Sequence, residues 1–479
     1  MTALRQHLRH TEDLKNINER LWLDQQSYMP PAALAERIRH TGIIQDLVQQ
    51  RLTSPELGRL LDEDTEQASW LAVARREREN ALRMGDATWT RFLQTAGRAF
   101  DAWVIARDGD DWSAFEPWLA EMVAINRDFA ERMGYAEHPM DALLSVYVPG
   151  PSHAEITEVF EGLKGFLIDA RRRRVADEPV YDVEGEPHEL VSIMREIGEL
   201  IGFDFARGGV GFTPHGYTSI AGPRDARVTI RQDVPLFQAV STAVHEYGHA
   251  LYGQGVAEEL WETPAQHGSM PYIQESQSKF WENIVGRRAD FGIRIGEILA
   301  RHYPQRSAED WGRAYHRSLT RGVSSPVRVA ADEISFNLHI ILRYEIECGL
   351  LDGTIPPDRV PEVWDAKSEE YLGIVPASLG IGALQDPHWA RRFFGLFTAY
   401  VVGNVSSAQL ARAMAEQGVS IEEAVRRADF GEVRGWLREN VHGPGGTVTL
   451  QEMLVNATGS RMSPDAYRDH LRERYAPGG

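Results

Sequence analysis

Residues 236–252 read LFQAVSTAVHEYGHALY. Leu236, Val240, Val244 and Leu251 recur at near-helical spacing, and Gly253 and Gly255 supply a stop, so the stretch is predicted as a helix with one face buried. The same periodicity runs through 34–62, 154–174, 327–350 and 407–427. Met29-Pro30-Pro31, Pro149-Gly150-Pro151, Gly208-Gly209, Pro356-Pro357 and Gly443-Pro444-Gly445-Gly446 break the pattern without forming a long linker. There is no internal repeat and no low-complexity tract. The expected fold is mostly α, a single large helical domain over 1–479. Residues 208–234 differ: short runs of Val, Thr and Ile between turn residues predict a small antiparallel sheet of two or three strands just before the 236–252 helix.

Inside that helix stands His245-Glu246-Tyr247-Gly248-His249. Histidines at i and i+4 project from one face, so both imidazoles can reach one zinc ion at about 2.0–2.1 Å. Glu246 is turned about 100° from His245. It can flank a metal without ligating it and reach a bound water, the arrangement that serves metallopeptidases. Two surface histidines would give the same spacing. A catalytic zinc keeps three protein ligands and one open position. Downstream, 269–283 reads SMPYIQESQSKFWEN. Ser269 is a candidate N-cap, Pro271 an early-turn residue, and Glu275 falls in the first turns of a helix whose Phe280, Trp281 and Ile284 face inward. On the residues alone, Glu275 is a third ligand or an exposed glutamate favouring the helix dipole.

The chain has 479 residues, 43% hydrophobic and 25% charged, an ordinary globular mix. Its net charge of −19 repels phosphate backbones and argues against a nucleic-acid binder. One cysteine, Cys348, excludes an intrachain disulfide and reads as a small core residue. The N-terminus is too polar for a signal peptide and no long apolar run follows, so no membrane association and a cytoplasmic location are expected. There is no Gly-x-x-x-x-Gly-Lys-Ser/Thr phosphate loop and no Gly-x-Ser-x-Gly elbow. Asp108-Gly109-Asp110-Asp111 lacks the calcium-loop pattern and is expected to precede a helix; 443–446 is expected to be a turn.

His245–His249 followed by Glu275-Ser276-Gln277-Ser278 resembles the carboxypeptidase Taq family of zinc metallocarboxypeptidases. Asp225-Ala226-Arg227-Val228-Thr229 fits the family's Asp-x-Arg-x-Thr, and 382–389 fits its Gly-x-x-Gln-Asp-x-His-Trp. Arg328, Ala331-Asp332-Glu333, Asn337-Leu338-His339 and Arg343 look like its conserved helix; Pro139–Leu144 with Pro149-Gly150, and Asp24-Gln25 with Met29-Pro30-Pro31, match N-terminal signatures. The resemblance implies a deep active-site cleft, a small sheet beside the zinc helix, and an N-terminal helical hairpin, roughly 1–75, near the cleft mouth as a lid. It also implies removal of single amino acids from peptide C-termini, a homodimer, and zinc with cobalt as substitute.

Residue by residue, His245, His249 and Glu275 match the ligands and Glu246 the general base. Arg328 matches an arginine suited to a terminal carboxylate, though on the residues alone it reads as an ordinary arginine in a helix salt bridge. Tyr400 and His215 are candidate substrate or oxyanion donors, Tyr400 also reading as a core tyrosine with a satisfied hydroxyl, and His388 is a substrate contact, a support behind one, or packing on Trp389. Three motifs depart from the family: Gln274 stands where it usually has His, His215-Gly216-Tyr217 stands for His-Pro-Phe, and Leu23-Asp24-Gln25 stands for Trp-Asp-Gln. Other readings are a zinc oligoendopeptidase or dipeptidyl carboxypeptidase, which share His-Glu-x-x-His and a downstream Glu, and a catalytically weakened peptide-binding relative.

Overall fold

Several helices begin where the sequence supplies a short polar cap. Thr2 accepts from the Arg5 amide, Ser54 from Leu57, Asp111 from Ser113 and Asp332 from Ser335. Ser152/Glu155 and Thr449/Glu452 form full capping boxes. The structure is a computed structural model that describes residues 2–65, 68–146, 149–174, 183, 185–267, 271–322 and 324–475. It is mostly helical, as expected. The periodic segments resolve as Leu34–Thr53 and Pro55–Glu63, His153–Arg173, Glu333–Asp352, and Thr398–Glu416 and Ile421–Arg427. Arg328 stands outside the conserved helix, in a 3₁₀ turn, Arg328–Ala330, because Asp332 caps the helix only afterwards. Asp111 does precede a helix, and Gly445–Thr447 is a single 3₁₀ turn. Among the described residues no helix is long and apolar enough to cross a membrane.

The chain divides into two compact units: Met1–Leu82, Pro179–Leu319 and Ser406–Arg461 in the first; Arg83–Glu178, Thr320–Val405 and Met462–Gly479 in the second. In the first, N-terminal helices bury Leu4, Leu8, Leu57, Leu61 and Trp70 against Val256, Leu260 and Ala265. Glu12 of the first helix, Ala3–Ser27, is 1% exposed yet charged. Burial opposes its ionisation, but Lys15 and His267 outweigh it and hold the carboxyl down to about 2.

The sheet has three strands, β1 Gly208–Phe212, β2 Tyr217–Ile220 and β3 Ala226–Ile230, in order β1-β3-β2. β2 and β3 pair antiparallel as expected, with Thr218 opposite Val228. β1 pairs parallel to β3, with Val210 opposite Val228, so the sheet is mixed rather than antiparallel. The cause is local: β3 inserts between its two predecessors, and the Thr213–Thr229 hydroxyl pair at 2.8 Å ties the end of β1 to β3. Asp225-x-Arg227-x-Thr229 builds this region. Asp225 accepts from Arg227 at 2.9 Å and pairs with Arg20, and Thr229 donates to the Tyr217 carbonyl at 2.7 Å.

In the second unit, Glu333–Asp352 lies almost wholly buried, and Arg127 donates to the Leu350 and Leu351 carbonyls near its end. Cys348 departs from the expected core position. It is half-buried and faces the His153 ring, because its helical face carries Tyr344 and Asp352 one turn away on either side.

Candidate active site

The motif helix, Leu236–Gly255, is buried on nearly every side. The following helix, Tyr272–Lys279, can approach it because residue 248 is glycine. A Cβ there would stand 2.5 Å from Ser278 Cα and 2.6 Å from the Gln277 carbonyl oxygen. That contact brings Glu275 to the two histidines. One ligand atom from each of His245, His249 and Glu275 lies within 4.8 Å of the others, and His249 Nε2 is 3.9 Å from Glu275 Oε1. Pro271 occupies the position before the first helical residue, and Phe280, Trp281 and Ile284 are buried as expected. Ser269, the expected N-cap, lies outside the described residues.

Past Lys279 the helix widens into a π turn, Phe280–Gly286. Such turns break helical phase and recur at functional sites. Here the turn carries Glu282, whose Oε2 accepts from His245 Nδ1 and from Lys279 Nζ, both at 2.8 Å. A histidine held this way has its tautomer fixed and presents Nε2 for ligation. Burial pulls His245 down, but the Glu282 hydrogen bond outweighs it and the net shift is upward. Glu282 is held well below the usual range: burial opposes this, and Lys279 with His245 prevails. His249 is pushed down to about 4, chiefly by burial, so it is neutral, the form a metal requires. Sequence reading missed Glu282; the available signal was a carboxylate set among Phe280, Trp281, Ile284 and Val285. Glu282→Gln is expected to weaken metal binding by roughly 10–100-fold, read by competition against a chelator of known affinity; unchanged affinity would remove Glu282 from this role.

Glu246 is 6% exposed. The Thr218 hydroxyl of β2 lies 2.7 Å from both its Oε2 and its backbone carbonyl. Burial pushes the Glu246 carboxyl up to about 7, with Glu275 and Glu282 adding to the rise and His245 and Thr218 opposing it. A carboxylate poised there can exchange a proton near neutrality. Gln274 adjoins His249 and donates to the His267 carbonyl at 3.4 Å. His215 sits exposed in the turn between β1 and β2, its carbonyl accepting from Thr213. The neighbouring Gly216 is tightly placed: a Cβ would lie 3.1 Å from the Thr229 carbonyl oxygen.

The other predicted residues gather in the second unit. Asp386 accepts from Arg328 through Nε at 3.1 Å and Nη2 at 3.0 Å, and from Arg343 at 3.2 Å. Both guanidiniums hold Asp386 far below the usual carboxylate range despite burial. Gln385 accepts from the Arg328 amide at 2.7 Å, and Trp389 donates to Glu347 at 2.9 Å. The 382–389 motif thus fixes an arginine pair. The Arg328 guanidinium stands 5.6 Å from the Tyr400 ring centroid and 5.1 Å from that of Phe397. His388 packs edge-on against Phe397 and is pushed down to about 3 by burial, so it is neutral.

A mostly helical fold with a His-Glu-x-x-His helix and an adjoining Glu helix defines a metallopeptidase class. The carboxypeptidase Taq (M32) metallopeptidase family matches residues 3–475 of this chain. Carboxypeptidase 1 of Bacillus subtilis (strain 168) is 32% identical over 430 residues, covering 87% of this chain and 84% of that protein. Thermostable carboxypeptidase 1 of Thermus thermophilus is 31% identical over 501 residues, covering 98% and 96%. Among solved structures, the M32 carboxypeptidase from Deinococcus radiodurans R1 superimposes with a TM-score of 0.93 at 29% identity, covering 98% of each chain. The chain belongs to the carboxypeptidase Taq family and is a metallocarboxypeptidase, a hydrolase that requires a metal and acts on peptides.

Proposed function

We propose that the metal is zinc, with cobalt able to replace it, and that the enzyme removes single amino acids from peptide C-termini. The observation that carries this reading is the mutual 4.8 Å limit on the His245, His249 and Glu275 ligand atoms, with Glu246 on the same helix as the imidazoles. The donor set fits the ion: two imidazoles and one carboxylate are the protein ligands of a catalytic zinc, and the neutral state of His249 suits ligation. When bound, such a cation supplies Lewis acidity to the scissile carbonyl. Glu246 takes a proton from the attacking water as oxygen adds to the carbonyl carbon, then delivers it to the amine nitrogen as the C–N bond breaks. Thr218 keeps Glu246 Oε2 in place, and Glu282 keeps the His245 ring in place.

Arg328 is assigned to the terminal carboxylate of the substrate, supported by its planar grip on Asp386. Tyr400 and His215 are assigned as oxyanion or substrate donors, and His388 as a neutral contact. The match over 3–475 supports one peptidase domain across 1–479. Exposed apolar residues on the N-terminal helices, Tyr28, Leu34, Ile38 and Ile43 among them, support the hairpin of roughly 1–75 as a lid. A homodimer and a cytoplasmic location complete the proposal. The test is mass spectrometry of a mixed peptide pool. A ladder of successively shortened C-termini, abolished by chelator and absent for C-terminally amidated peptides, is expected. Cleavage of the amidated peptides would mean an oligoendopeptidase, paired losses a dipeptidyl carboxypeptidase, and no cleavage a peptide-binding relative.

A further inference from the structure

A second group of metal-competent side chains stands in the other unit. His138 precedes the short helix Met140–Leu144, His153 opens the helix His153–Arg173, and Cys348 lies in the last turns of Glu333–Asp352. One ligand atom from each lies within 4.8 Å of the others. The two imidazoles stack with centroids 4.2 Å apart and planes 19° from parallel. Cys348 Sγ is 3.7 Å from His153 Nδ1. In a tetrahedral zinc site, with sulfur at about 2.3 Å and nitrogen at about 2.0 Å, two such ligands stand roughly 3.5 Å apart. The spacing is therefore already close to that of a coordinated pair.

We propose that His138, His153 and Cys348 form a second cation site, for a thiophilic dication of the zinc type, which staples three segments of this unit together. A thiolate beside two imidazoles selects zinc, cobalt or cadmium over magnesium or calcium, which take oxygen ligands. Binding releases the thiol proton. The Tyr344 hydroxyl and His153 Nδ1 share a hydrogen bond at 2.7 Å, and Tyr344 also hydrogen-bonds Cys348, so its hydroxyl can turn to the thiolate when the imidazole nitrogen is taken by the cation. His138 Nδ1 accepts from the Met140 amide at 3.0 Å, which places its ring proton on Nε2, 3.9 Å from Asp352 Oδ2. Ligation through His138 Nε2 moves that proton to Nδ1 and exchanges the Met140 hydrogen bond for a metal bond. The site differs in kind from His245, His249 and Glu275, which contain no sulfur.

That difference makes the test clean, because Cys348 is the only cysteine in the chain. Chelator-treated full-length protein is titrated with Co²⁺ alone. A near-ultraviolet thiolate-to-cobalt charge-transfer band is expected, together with a second bound equivalent beyond the catalytic one. The band should vanish in Cys348→Ser, weaken in His153→Ala through a rightward shift of the titration midpoint, and persist unchanged in Glu275→Gln, so loss of the catalytic site and loss of this one are read separately. Cys348→Ser should keep its peptidase activity. Zn²⁺ should slow alkylation of Cys348 by iodoacetamide and raise the melting temperature less in Cys348→Ser than in the parent. Absence of the band with Co²⁺ in excess, or an alkylation rate indifferent to Zn²⁺, would overturn the proposal.

Discussion

Glu246→Gln should hold its metal at near-parent stoichiometry while kcat falls on the order of 10³-fold, within the range that a positioned general base contributes. The substitution keeps size and shape, and the amide oxygen can still accept from Thr218 at the observed 2.7 Å. What disappears is the ability to take a proton. Because Glu246 is turned away from the ligand pair, metal content is expected to stay constant. Steady-state kinetics alongside elemental analysis separate the two outcomes. Turnover near the parent value would mean that another group moves the proton, and loss of metal would mean that Glu246 is a ligand.

Gly248→Ala is the second large effect. The added Cβ would meet Ser278 Cα at 2.5 Å and the Gln277 carbonyl at 2.6 Å, and both are backbone atoms that cannot rotate aside. The Tyr272–Lys279 helix must retreat, carrying Glu275 away from His249. Overpacking of this kind costs about 1–3 kcal/mol, and a misplacement of about 1 Å near reacting groups can cost about 10²-fold in rate. We expect a lower melting temperature, weaker metal binding and a kcat/KM reduced by about two orders of magnitude. Gly435→Ala is the control: it lies in the helix Gly431–Leu437 with nothing within 4 Å of the added carbon. It should be neutral or slightly stabilising. A Gly248→Ala variant that matched the control in all three measurements would show that the two helices are not held at contact distance by this residue.

The two helices that carry the proposed ligands and most breakers were legible because helical periodicity and Gly/Pro punctuation are local signals. His245, Glu246 and His249 share one helix, so their spacing alone placed them. Glu275 needed the family resemblance, since nothing local distinguishes a ligand from an exposed first-turn glutamate. Glu282, Thr218 and Gly248 stayed hidden for a common reason: each acts across elements. Thr218 reaches Glu246 from β2, Glu282 reaches His245 across 37 positions, and Gly248 matters only for what packs against it. The strand order was equally out of reach, because alternation of apolar residues fixes which face is buried and not which neighbour is parallel. Cys348 was read as core from its residue type, while its surroundings came from residues some two hundred positions away.

The widened turn after Lys279 acts as a phase shifter. A helix repeats every 3.6 residues, so seven residues of regular helix would set Glu282 nearly above Glu275, aimed in the same direction. The wider turn breaks that lockstep. Removing a single residue from Phe280–Gly286 would restore regular winding and swing the carboxylate away from the imidazole it steadies. Drift in length here is therefore much less tolerable than drift in side-chain identity.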